Sequence, residues 1–296
     1  MKRRWIVASV VVAAVALGVA AMLVLRSDWF REQVRLKLVR EIEIATGGKV
    51  EIGRFDYHWK TLEFEAGGVV LHGLEQRGQA PLLRARLIRL TLGPGTLFER
   101  RLDIRGLRIE RPEVHIYVAA DGTTNLPHPA GPRKGNTIEN LLKLKIGAAE
   151  IVAGEAEVAA RKIDFDGRLR GFESELRYAA KPERYETRLK IERVEVPGVP
   201  ALGLEGELAL EATRLRASRL LINVGQSWLS VEGALENFAQ PSAAGHYRSE
   251  FDIRDLANGS LRAGKFKVAG DWRWSPESWR ATAKARALGM VFTILG

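Results

Sequence analysis

The sequence predicts a mainly β protein: an N-terminal transmembrane helix, an amphipathic helix, and then an elongated antiparallel sheet, either strongly twisted into an open trough or covered as a β-sandwich or closed barrel. Three observations predict it. Beyond Gly48, apolar and charged residues alternate with a period of two, the signature of half-buried strands. Glycine is frequent at 29 residues, which suits a turn-rich β chain. The one long uncharged run stands at the very start, and nothing later approaches that length.

That run covers residues 5–25, opening with Trp5 and closing with Leu25. At 1.5 Å per residue it makes about 31 Å of helix, the thickness of a bilayer core. It exceeds the roughly 7–15 apolar residues of a signal peptide. A retained anchor is therefore expected, although Ala14, Ala16, Gly18 and Ala20 resemble small-residue cleavage sites. Lys2, Arg3 and Arg4 precede the run, but Arg26, Arg31, Arg35, Lys37 and Arg40 follow it, so local basic charge does not set orientation. Long domains translocate largely regardless of charge. The expected arrangement is a cytoplasmic tail at 1–4, with the remainder on the far side of an inner membrane.

The amphipathic helix is expected at 28–46. Ser27 or Asp28 caps it, Phe30, Val34, Leu38 and Ile42 recur every four residues, and Gly47-Gly48 stop it. The stripe has two possible uses: covering the open end of the sheet, or lying on a membrane with Trp29 at headgroup level.

Strands are expected at 50–55, 62–71, 83–92, 102–110 and 113–118, an N-terminal β module over 49–119. Residues 120–140, with Pro127, Pro129, Gly131, Pro132 and Gly135, read as a linker. A meander follows over 141–296, with strands at 144–152, 155–161, 163–169, 173–178, 185–194, 202–210, 215–224, 228–235, 247–253, 265–274 and 279–287. Tyr247, Ser249, Phe251 and Ile253 share one face, and Arg248, Glu250, Asp252 and Arg254 share the other. Apolar parity slips at Gly106 and at Leu87-Ile88, where bulges would restore the greasy face.

About 16 strands at roughly 4.8 Å make a sheet 75–80 Å long, whose apolar side cannot stay wet. A β-sandwich, a closed barrel, or an open trough filled by another apolar molecule would each cover it. Beside a membrane anchor, the natural filling is phospholipid acyl chain. The candidate lipid-facing residues are Leu87, Leu90, Leu102, Ile104, Val114, Ile116, Leu189, Ile191, Leu208, Leu210, Phe251 and Phe266.

Catalytic patterns are not found. Zero cysteines exclude disulfides, thiolate metal sites and a Cys nucleophile. The five histidines, His58, His72, His115, His128 and His246, lie far apart, and His115 alternates with Val114 and Ile116, so it belongs to the polar face. The acids read as solvated cross-strand partners of Arg and Lys rather than a hydrolytic pair. No enzyme activity, cofactor or metal is expected. The net charge of +10 points to polyanions. Arg100, Arg101, Arg105, Arg108 and Arg111 fit the polar face of strands or anionic headgroups, and interspersed acids disfavour nucleic acid.

Ordered motifs follow the anchor: Ala45-Thr46-Gly47-Gly48-Lys49-Val50-Glu51-Ile52, then Leu62-Glu63-Phe64-Glu65, Gly67-Gly68-Val69-Val70-Leu71 and Ala85-Arg86-Leu87-Ile88-Arg89-Leu90. Next come Leu107-Arg108-Ile109-Glu110-Arg111-Pro112-Glu113-Val114-His115-Ile116 and Asp121-Gly122-Thr123-Thr124-Asn125-Leu126-Pro127. Over residues 1–130 this order resembles the AsmA-like superfamily, including TamB-like translocation and assembly module proteins. The resemblance implies an inner-membrane protein with a periplasmic β-taco trough, related to bridge-like lipid transfer proteins. It implies phospholipid movement between inner and outer membranes, or support of outer-membrane assembly with an assembly-machinery protein as partner. Chaperone-like β-augmentation of outer-membrane strands is the alternative role. Family members are commonly much longer, so a truncated chain is also an expectation.

Overall fold

In the computed structural model, residues 23, 26–95, 103–128, 142, 144–256 and 261–292 are described. The expected anchor lies outside them apart from Leu23, and among the described residues no helix is long and apolar enough to cross a membrane. The expected linker is described only as far as residue 128.

The first element is helix α1, Asp28–Thr46. Ser27 caps it by accepting a hydrogen bond from the Phe30 backbone, and Gly47 ends it in the left-handed region at φ 76°. Val34, Leu38 and Val39 pack on a small core of Val50, Ile52, Phe55, Val69 and Ala85. The Phe30 ring meets Tyr57 at 5.8 Å, and Phe55 stacks with Phe64 at 6.4 Å. The stripe thus covers the end of the sheet, one of its two expected uses. Ile42, expected on the stripe, is instead exposed.

Fourteen strands form one sheet. They are β1 (Lys49–His58), β2 (Glu63–His72), β3 (Leu83–Leu92), β4 (Ile104–Val118), β5 (Ala148–Ala160), β6 (Phe165–Ala180) and β7 (Glu183–Val196). Then come β8 (Val199–Leu210), β9 (Arg214–Val224), β10 (Ser227–Glu236), β11 (Ser242–Asp252), β12 (Leu261–Ser275), β13 (Ser278–Ala281) and β14 (Lys284–Phe292), with a one-turn helix α2 (Ile253–Leu256) between β11 and β12. Strands β1 to β13 pair strictly in chain order, and β14 pairs β12 on the side where β13 also lies. The sheet is open: β1 does not meet the far edge, so the barrel alternative fails. One sheet also runs through both regions that the sequence divides at 120–140.

Two expectations need correction. The pairs 102–110 and 113–118, 144–152 and 155–161, and 163–169 and 173–178 are not six strands but β4, β5 and β6. What reads as a break is a switch of alternation inside a continuous strand. Arg111 (φ 46°), Ala153 (φ 52°) and Gly171 (φ 64°) adopt left-handed backbone at these points and turn the chain over without ending its pairing. Nor is the sheet antiparallel throughout, because β4 and β5 pair in parallel. A parallel pair needs a crossover of a dozen or more residues, and the segment read as a linker supplies it.

That crossover begins with a stitched turn. β3 starts opposite Val114, leaving the end of β4 without a strand on that side. Buried Asn125 fills the place: its Oδ1 accepts from Tyr117 N (2.9 Å), its Nδ2 donates to His115 O (2.7 Å), and its carbonyl accepts from Leu74 N (2.7 Å). Asp121 Oδ1 holds the turn by accepting from Thr123 N and Oγ1, and Gly122 takes φ 87°. Asn125→Ala leaves two part-buried backbone groups without their side-chain partner and is expected to cost about 1 kcal/mol, read in denaturant titration.

Candidate functional site

Register shows how the side chains sort. One row crosses twelve strands by direct pairing: Phe55, Ala66, Ile88, Ile109, Ile151, Ser174, Leu189, Gly206, Leu220, Val231, Tyr247 and Gly270. It contains no charge. The neighbouring row, on the opposite face, crosses nine strands: Asp56, Glu65, Arg89, Arg108, Glu150, Glu175, Arg188, Glu207 and Arg219. Every member is charged. Successive side chains of a strand point to opposite faces, so this is one apolar and one ionic surface.

A second uncharged row runs through Val50, Leu71, Leu83, Val114, Ala156, Leu169, Val194 and Leu202. Counting by twos from the first row would put the β1 to β7 members on the charged side, while Leu202 keeps parity with Gly206 in β8. Instead, every strand from β1 to β7 switches alternation between the two rows. The switches fall at Gly53, Gly68, Arg86-Leu87, Arg111, Ala153, Gly171 and Glu192-Arg193, all at one level across the sheet. Both rows therefore share a face, as the common core of Val50, Ile52, Phe55, Ala85, Ile88 and Ile109 shows directly.

The candidate residues mostly lie on this face. Leu90 pairs with Leu107, Val114 with Leu83, and Ile116 with Val158. Leu189 and Ile191 face Gly206 and Leu204, Leu208 faces Thr187, Leu210 faces Tyr185, and Phe251 faces Phe266. Ile104 rejoins the face opposite Leu92 through a register shift beside Gly106. Leu87 is a correction: it stands opposite Gly67 and Glu110, in the switch row, so parity counted from Leu83 and Ala85 misplaces it. Leu102 lies outside the described residues. Register also adds Phe172, Leu176, Leu204 and Ile222, of which simple alternation along 173–178 and 202–210 could have supplied Leu176 and Leu204. His115 sits opposite Glu157, on the polar side as expected.

Coverage of the apolar face is uneven. Ten hydrophobic side chains are buried among the described residues, and five of them form the core under α1. Leu189, Ile191, Leu208, Leu210, Phe251 and Phe266 are all only half-buried. Among the described residues no second sheet lies on them, so the sandwich alternative fails as well.

The opposite face is paired ionically. Arg89 bridges Glu63 (2.9 Å) and Glu65 (2.7 Å), Arg108 reaches Glu110 and Glu150, Arg214 reaches Glu236, and Lys265 and Lys267 converge on Glu250. Hydrogen bonds from these cations hold the carboxyls of Glu236 and Glu250 below the usual range. Exposed pairs of this kind add little stability each, but they keep this face committed to water.

No family model and no curated protein matches the chain.

One ionic group lies deeper. Asp252, buried where β11 gives way to α2, accepts two hydrogen bonds from the Arg254 guanidinium and one from its backbone N–H, which take its carboxyl from 3.8 to about 2. Asp255 Oδ2 meanwhile accepts from Gln226 N, Ser227 N and Ser227 Oγ. A depressed folded-state value means stability that is present above 3.8 and lost as pH falls toward about 2. Asp252→Asn is expected to flatten the acid limb of a stability–pH profile in that window.

Proposed function

We propose that this chain is an inner-membrane-anchored, AsmA-like protein of the periplasm. Its sheet holds phospholipid acyl chains and supports their movement between inner and outer membranes. The single observation that carries this reading is the uncharged row across twelve strands, left half-exposed beside a row of charges on the other face. A monomer in water cannot leave so continuous an apolar strip open without loss.

The line of switches supports a trough in particular. Bulges bend strands, and seven bends at one level fold a sheet along its long axis, with both apolar rows inside. Seven strands, β1 to β7, at about 4.8 Å give a fold line about 30 Å long. Each flank, three to nine residues at about 3.3 Å, is roughly 10–30 Å deep. Binding by such a wall is non-directional, so it tolerates different headgroups and lets chains slide along the row. The residues at 5–25 anchor one end in the membrane that supplies the lipid.

Native mass spectrometry of the full chain, released from detergent in the gas phase after expression in a bacterial periplasm, tests this. Several phospholipids retained per chain are expected. A chain that sheds all lipid with its detergent while keeping its strand content would refute the proposal.

A further inference from the structure

α1 is apolar on a second side. Trp29, Leu36 and Ile44 are 65%, 45% and 55% exposed. With Gln33 and Arg40 they recur at steps of three and four, forming a stripe opposite Val34 and Leu38, which face the sheet. Arg26, Lys37 and Arg40 are exposed on or beside that stripe and make no ion pair among the described residues, whereas Arg31 and Arg35 are paired to Asp28 and Glu32. A helix used only to cap the sheet would show water a polar outer side. This one shows three large apolar groups, a tryptophan first, with free cations between them.

We propose that this outer stripe of α1 lies in the headgroup region of a bilayer containing anionic phospholipid, so that the helix clamps the first strands of the sheet against the membrane. The occupant follows from chain continuity and charge. The uncharged run 5–25 ends three residues before α1 begins, so a chain leaving the bilayer there places α1 at the interface at once. Trp and exposed Lys and Arg are the side chains that settle at headgroup depth. The inference rests on the anchor reading of residues 5–25, and is independent of lipid filling of the sheet.

The chain has no cysteine, so single labels are specific. Full-length Leu36→Cys, Glu207→Cys and Leu208→Cys, each carrying an environment-sensitive fluorophore, are reconstituted into vesicles of phosphatidylglycerol with phosphatidylcholine, or of phosphatidylcholine alone. The label at 36 is expected to shift to the blue and be quenched severalfold by nitroxide-bearing lipid, more strongly in anionic vesicles, while the label at 207 stays wet. Lys37→Glu with Arg40→Glu removes the anionic preference. A label at 36 as wet as that at 207 in both vesicle types overturns the inference. Extraction of the chain by alkaline carbonate would defeat the anchor reading and the inference with it. A dry label at 36 beside a wet one at 208 would leave the clamp intact and defeat the lipid-holding proposal alone.

Discussion

Leu208→Arg is expected to strip the protein of most of the phospholipid proposed to fill its sheet and to leave it folded. Leu208 stands between Thr187 and Ala217 on the apolar face and is half-buried, so an arginine there does not break the strand ladder. On the proposed function it sets a guanidinium among acyl chains. Placing Arg at the centre of a hydrocarbon layer costs about 2.5–3.5 kcal/mol, on the order of a 100-fold loss in local occupancy. The control is Ala209→Arg, one residue along and on the other face, opposite Glu186 and Arg216. It adds the same charge to the same strand and is expected to change nothing. Phospholipid phosphorus per chain, measured on both variants, checks the pair. Equal lipid content would mean that the face on which Leu208 lies is not the lipid surface.

Phe55→Ala has the largest expected effect on stability, about 3–5 kcal/mol. Phe55 is buried in the core under α1 and stacks with Phe64. Nothing nearby can fill the space, because Val34, Leu38 and Val39 come from a capped helix already seated on it. The loss should also be local. Strands β1 to β11 pair only with their chain neighbours, so this part of the sheet behaves as a one-dimensional array in which stability is lost from one end. Hydrogen exchange is expected to quicken by roughly two to three orders of magnitude in β1–β3 while β9–β11 keep their protection. Uniform loss across the sheet would contradict this.

The period-two alternation made most of the sheet legible in the sequence, and with it the apolar face. Leu189, Leu208, Phe251 and Phe266 follow from alternation alone, because their strands keep parity near them. The switch row did not. Around Arg111, Ala153 and Gly171 the alternation fails for one step and then resumes, which in a sequence looks the same as a turn between two short strands. Only pairing with neighbouring strands distinguishes them, and that is long-range information. Leu87 was misplaced for the same reason. The parallel join of β4 and β5 was hidden because the segment 120–140 contains no periodic signal to show where the chain returns. The Asp121 to Asn125 turn was visible as a motif, but its work of replacing a missing strand beside Tyr117 becomes clear only when β3 is seen to start opposite Val114.

The most direct test of the lipid-holding face is photo-crosslinking in living cells, with a photoreactive amino acid placed in turn at Leu189, Leu208, Val231, Arg188, Glu207 and Glu232 of the full chain. Phospholipid adducts at Leu189, Leu208 and Val231, and none at their charged neighbours, are the predicted result. Adducts on both faces alike, or none at the three apolar positions, would contradict it.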